Sequence, residues 1–313
     1  MDKRSRESNS RKKKSGKFIK LLLLLALVLV IKNWDQVKGK FLTMNKSYSM
    51  EDVDIYDYKN GNIMGKYSEK EFRSMLIKAK NNYKYQNGKS TREQLENLKK
   101  YIPEAQEIID NIEYVPNNAV KVSLLYPENF LWTYGFINDY EDKAGIQDYE
   151  KKEDKIYLMQ TDSRWGYKDV GESTLGAEGC GPTSMAMVAM SLTRDYDLTP
   201  AYMMDYVIDH DYFKENVGTL WKFMSDGAKD FGLGVKELPL HKSTIMNSLK
   251  DGQMIIASVG PGDFTTGGHF IVLAGAKDGK IRVYDPNSWI NSQKLWSYEK
   301  LEGQIKNLWA YSV

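Results

Sequence analysis

With 313 residues, 42% of them apolar and 12% aromatic, the chain has a globular composition, long enough for one large or two ordinary domains. Lys and Arg (44) nearly balance Asp and Glu (42) for a formal net charge of +2, so nothing overall marks it for nucleic acid, and no nucleic-acid partner is expected. A single Cys excludes an intrachain disulfide and leaves one thiol that is either a buried small hydrophobe or a reactive group.

The first element is a basic run, residues 1–17 (MDKRSRESNSRKKKSGK), followed by FIKLLLLLALVLVI over 18–31. This order reads as an export or anchoring signal. The apolar stretch falls short of the ~20 residues that span a bilayer comfortably. However, Lys20 can snorkel to one interface, Lys32 and Trp34 suit the other, and no small-x-small cleavage site follows Ile31. The expectation is a single-pass anchor at the cell membrane with a cytoplasmic N-terminus and the remaining chain extracytoplasmic. Cleavage after the segment would instead give a secreted protein.

Residues 32–66 are polar and without a period, as expected of a linker. A helical subdomain is expected over 67–150. SEKEFRSMLIKAKNNY opens on a Ser68-x-x-Glu71 capping box, TREQLENLKKYI repeats the device with Thr91 and Gln94, and Pro103 opens PEAQEIIDNIEYV with Ile108, Ile109 and Ile112 on an apolar face. The aromatic stretch LLYPENFLWTYGF follows. Its apolar stripes and charge runs read as packing surfaces and solvated faces, and no chemical motif stands out in this region.

Character changes over 151–313. IYLMQTDSRWGY leads into helical patterns between about 182 and 232, and then into short β-rich runs, MIIASVG, HFIVLAGA and KIRVYDP. Helices first and strands after predict an α+β domain.

Cys180 lies in AEGCGPTSMAMVAMSL, flanked by Gly179 and Gly181, with Pro182 at the expected helix start and Met185, Val188, Ala189 and Leu192 on one apolar face. A helix N-terminus presents unpaired N–H groups and the positive end of the dipole, which favour a thiolate. Three histidines are available as a base. His210 (VIDHDYFKEN) and His241 (PLHKST) sit in polar runs and read as surface residues. His269 stands at the mouth of a predicted strand, after the glycine-rich PGDFTTGG. The next strand ends at Asp285, a carboxylate that can orient an imidazole.

Hairpin register decides whether these two meet. A two-residue Asp278-Gly279 loop with strict pairing sets Asp285 across from Val272, on the wrong face. A three-residue loop, Lys277 to Gly279, with Gly279 left-handed as a bulge, pairs Asp285 with Ile271 as a diagonal neighbour of His269, ~7–8 Å away at the backbone. The bulged loop is the prediction. For an oxyanion, the Cys180 backbone N–H is one donor. The side-chain amide of Gln160 is a candidate for the second, although by residue type alone a loop Gln is usually just solvated.

The ordered set MQTDSRWGY, GCGPTSMAM, GPGDFTTGGHFIVL and YDPNS closely resembles the papain-like bacteriocin-processing cysteine peptidases, peptidase family thirty-nine, in their stand-alone extracytoplasmic form. The likeness covers about residues 155 to 313, and PENFLWTYGF upstream is also reminiscent of such proteins. The resemblance implies a papain-like fold in which Cys180 is the nucleophile, His269 the base, Asp285 its orienter and Gln160 the oxyanion donor. It implies a peptide or protein substrate, cell-surface proteins among the candidates, and no cofactor. The same residues also admit amide transfer to an amine, or a silent binding module on the same fold. A zinc site on Cys180, His269 and Asp285 lacks the second Cys or paired His spacing typical of such sites.

Overall fold

A computed structural model of the chain describes residues 66–138, 145–215 and 217–313. The basic run, the apolar segment 18–31 and nearly all of the 32–66 linker lie outside the described residues. Among those described, no helix is long and apolar enough to cross a membrane.

The first part is helical: α1 (Glu69–Asn82), α2 (Thr91–Leu98), α3 (Ala105–Asp110), α4 (Asn117–Leu125) and α5 (Phe130–Gly135). α1 starts on the Ser68–Glu71 capping box. α2 starts one residue earlier than read from sequence, on a Ser90–Glu93 box, because Ser90 is the residue that remains extended and caps. The helix after Pro103 is shorter than expected, ending at Asp110 before a 3₁₀ turn, Ile112–Tyr114. Phe72, Leu76, Leu95, Ile108 and Trp132 share one core, and Trp289, from far along the chain, is inserted into it.

The second part is built on α6 (Cys180–Thr193), α7 (Pro200–Asp209) and α8 (Lys242–Lys250), with a short α9 (Trp289–Gln293). Its six-stranded sheet comprises β1 (Gly234–Glu237), β2 (Met254–Val259), β3 (His269–Lys277), β4 (Lys280–Tyr284), β5 (Leu295–Trp296) and β6 (Ile305–Ser312), in the order β1-β6-β2-β3-β4-β5. Every pairing is antiparallel. A helical region followed by helices on an antiparallel sheet is the α+β architecture that the sequence predicts.

β3 is buried on both faces. Phe270, Val272 and Ala274 join the core containing α6 and α7, and Ile271 and Leu273 join a second core with Ile245 and Leu249 of α8. Burial on both sides explains why MIIASV and HFIVLA read as continuous apolar runs rather than alternating ones. α6 is likewise buried all round from Gly181 to Ser191, not amphipathic as its pattern suggested. All described residues belong to one compact unit, Val53–Val313.

Candidate active site

α6 begins at Cys180 itself, with Gly179 as its cap residue, so Pro182 is the third helical position rather than the first. Proline is tolerated there because the first four N–H groups of a helix have no intrahelical acceptor. The Cys180 thiol is partly exposed. Gly181 is required by packing: a Cβ there would stand 2.6 Å from the Thr219 side chain, so only glycine lets the segment 217–221 close against the start of α6.

His269 opens β3 opposite Val259. Its hairpin corrects the sequence reading. Lys277 pairs with Lys280 across a two-residue turn in which Asp278 (φ 51°) and Gly279 (φ 74°) are both left-handed, as a type I′ hairpin demands. The extra residue lies inside β3 instead. Leu273 pairs with Val283 but Gly275 with Arg282, leaving Ala274 as the bulge. The shift brings Tyr284 opposite Val272, so Asp285, the next residue, comes level with Ile271 on the face of His269. The predicted juxtaposition is present, produced by a different device.

His269 is 7% and Asp285 0% exposed, and the imidazole Nε2 meets Asp285 Oδ1 at 2.8 Å. With that nitrogen donating to the carboxylate, the ring's other nitrogen is free for the site, and Cys180 lines the same cleft close enough to act on the charge of the ring. Burial pushes the His269 pKa down, but the Asp285 charge and hydrogen bond and the effect of Cys180 outweigh it and raise it to about 10. Cationic imidazolium is therefore the form this environment holds at neutral pH.

Asp285 is fixed from several sides. Its Oδ1 also accepts the Asn287 N–H (3.0 Å), Oδ2 accepts from Asn291 Nδ2 (2.9 Å), and its own N–H donates to Ser292 Oγ (2.9 Å). Tyr157 donates its hydroxyl to the Asp285 carbonyl at 2.9 Å. Sequence reading missed Asn287, Asn291 and Ser292. The signal was the polar spacing in DPNSWINS, which places the i+2 backbone N–H and the i+6 and i+7 side chains back on the aspartate once α9 forms.

Gln160 is buried beside Cys180 in the same cleft. Its backbone N–H donates to the Pro286 carbonyl (2.8 Å) and its Nε2 to the Gly176 carbonyl (2.9 Å), leaving a second amide hydrogen available. The structure therefore brings Cys180, His269, Asp285 and Gln160 together. His210 is exposed and stacked on the Tyr206 ring, and His241 is exposed as well. Neither lines the cleft.

The cleft measures about 640 Å³. One wall is the 217–221 segment, with Val217 70% and Trp221 49% exposed. Cys180, His269, Gly267 and Gly268 line the cleft as well. α4 and the residue that caps it also line the cleft, through Asn118, Lys121 and Tyr126, from a region in which the sequence showed no chemical motif. Tyr126 donates to the Phe264 carbonyl at 3.0 Å, and burial with the Asp285 charge nearby raises its pKa, so it stays a neutral donor. Among the described residues no cluster of His, Cys, Asp and Glu is placed to hold a metal ion. A thiol that shares a cleft with an imidazole oriented by a buried carboxylate is equipped for nucleophilic attack on a carbonyl.

The family model described as Peptidase_C39 like family matches residues 152–313. No curated protein matches the chain. A crystal structure from Bacillus anthracis, named as that of a C39-like peptidase, matches with 14% identity over 44% of this chain and 89% of that one, at a TM-score of 0.28.

Proposed function

The chain belongs to the Peptidase_C39 like family, and from that premise we propose that it is a cysteine peptidase that cleaves peptide or isopeptide amide bonds through an acyl-enzyme on Cys180. The observation that carries this reading is the buried 2.8 Å His269–Asp285 pair in the same open cleft as the one thiol of the chain.

The Cys180 sulfur attacks the substrate carbonyl carbon. The oxyanion that forms is met by the Cys180 backbone N–H and by a Gln160 amide N–H. His269 gives its proton to the departing amine as the C–N bond breaks, leaving a thioester. The imidazole then takes a proton from water, whose oxygen attacks the thioester and releases a carboxylic acid and the Cys180 thiolate beside the reprotonated imidazole. Asp285 keeps the ring in the tautomer that directs a nitrogen at sulfur and stabilises the imidazolium. No step requires a metal or an organic cofactor.

The basic run ahead of 18–31 supports placing this domain outside the cell, tethered at the membrane, where peptide or surface-protein substrates within reach of the linker would be its partners. Removing residues 1–31 would then leave the protein in the soluble cytoplasmic fraction instead of the membrane fraction.

The test needs no known substrate. Iodoacetamide alkylation of Cys180 is followed against pH in the full chain, purified in mild detergent, beside His269→Ala. Fast alkylation at pH 6 that the variant loses supports the reading. Equal, slow rates in both proteins at that pH would refute it.

A further inference from the structure

Residues 66–138 lie outside the family match, yet they bury an ionisable group that the proposed reaction does not use. Glu128, in the turn Pro127–Asn129 between α4 and α5, has a side chain 0% exposed. Its Oε1 meets the Lys80 ammonium at 2.9 Å and accepts from the Ser288 hydroxyl. Its Oε2 is buried with no hydrogen-bond partner among the described residues. Holding a carboxylate out of water with one oxygen unsatisfied is costly, and packing alone would be served as well by an apolar side chain.

Its partners lead to the candidate active site. Ser288 Oγ, which donates to Glu128, accepts the Asn291 N–H at 3.2 Å and so caps α9. Asn291 Nδ2 is the group that holds Asp285 Oδ2. On the adjacent residue, Asn129 Nδ2 donates to Asn287 Oδ1 (2.8 Å) and to the Asn287 carbonyl (2.9 Å), and the Asn287 N–H holds Asp285 Oδ1. Two neighbouring residues of one helical-region turn therefore grip the segment that sets both oxygens of Asp285.

We infer that Glu128 is a positioning residue for Asp285, acting through Ser288 and Asn291, and that the helical region is thereby a working part of the site rather than a spacer. The inference rests on the peptidase reading above. A bare docking contact would also use an ion pair, but it would change only how firmly the two regions adhere. A positioning contact also changes how strongly Asp285 holds the His269 proton.

The experiment titrates His269 by NMR in ¹³C-histidine-labelled full chain, its signal assigned by loss in His269→Ala, and measures the iodoacetamide rate at pH 7. Variants are Glu128→Ala, Glu128→Gln, Ser288→Ala and the double Glu128→Ala/Ser288→Ala. Glu128→Ala and Ser288→Ala are each expected to move the His269 midpoint toward 6.5 by about one unit or more and to slow alkylation roughly tenfold, the double variant being no worse than either single. Glu128→Gln keeps an acceptor for Ser288 and should stay within about threefold of wild type.

An unmoved His269 midpoint in folded variants that merely melt earlier would overturn the inference, as would independent, additive effects of the two substitutions. Should Glu128→Ala fail to fold, Ser288→Ala, which removes one hydroxyl, decides by the same two readings. A wild-type His269 midpoint near 6.5 with slow alkylation would instead overturn the peptidase reading, and this inference with it.

Discussion

Substituting Asp285→Asn removes one charge and almost no volume from the most buried member of the triad. Raising His269 from 6.5 to about 10 corresponds to ~5 kcal/mol of preferential stabilisation of its protonated form, at 1.36 kcal/mol per unit. Removing one partner of a buried pair typically costs about 3–5 kcal/mol, so the two figures agree in size. The amide adds a further conflict: with Oδ1 still facing His269 and Asn287, its NH₂ would point at Asn291 Nδ2, donor against donor.

The sign of the pH dependence follows from the direction of the shift. A histidine whose pKa is raised on folding contributes stability in full below 6.5 and loses it as pH climbs through about 10. Urea unfolding at pH 6.5 should therefore show Asp285→Asn roughly 3–5 kcal/mol less stable than wild type, with the gap closing toward pH 10. Alkylation of Cys180 at pH 6 should fall by at least about tenfold as the ring loses its proton. A stability gap of the same size at pH 6.5 and pH 10, with an unchanged alkylation rate, would refute the assignment of Asp285 as the group that holds the imidazolium.

Cys180→Ser should abolish peptide hydrolysis while moving the melting temperature by no more than a few degrees, since the thiol is partly exposed and ends the helix without supporting it. Gln160→Ala should lower turnover about 10²–10³-fold, as loss of an oxyanion donor does elsewhere, and leave iodoacetamide alkylation near the wild-type rate; this split separates oxyanion stabilisation from thiol activation. Gly181→Ala would force a methyl group against Thr219 and should cost ~1–3 kcal/mol by calorimetry, together with most of the activity as the nucleophile is displaced. Arg164, whose buried guanidinium meets Glu150 at 2.7 Å and Asp162 at 2.6 Å, should be replaceable by Met only at ~3–5 kcal/mol, because two carboxylates are then left without their cation.

The sequence by itself determined the fold class and the chemistry available. Periodicity changes from helical to strand-like along the chain because 3.6- and 2-residue repeats are local properties. Gly-Cys-Gly-Pro ahead of an apolar run marks a helix start whatever surrounds it. With one Cys and three His, few nucleophile–base pairs could be written at all. Local pattern failed where partners are remote. α6 read as amphipathic, yet helices and sheet enclose it on every side. The right pairing of His269 with Asp285 was reached through the wrong bulge, since strand register reflects which residues the two cores accept, and Ala274 is where β3 absorbs the extra residue. Least legible of all was the part played by residues 66–138. Tyr126, Glu128 and Asn129 form no motif with one another. They acquire meaning only when the chain brings them against Phe264, Asn287 and Ser288, more than a hundred positions downstream, and a contact at that separation leaves no trace in the spacing of either segment.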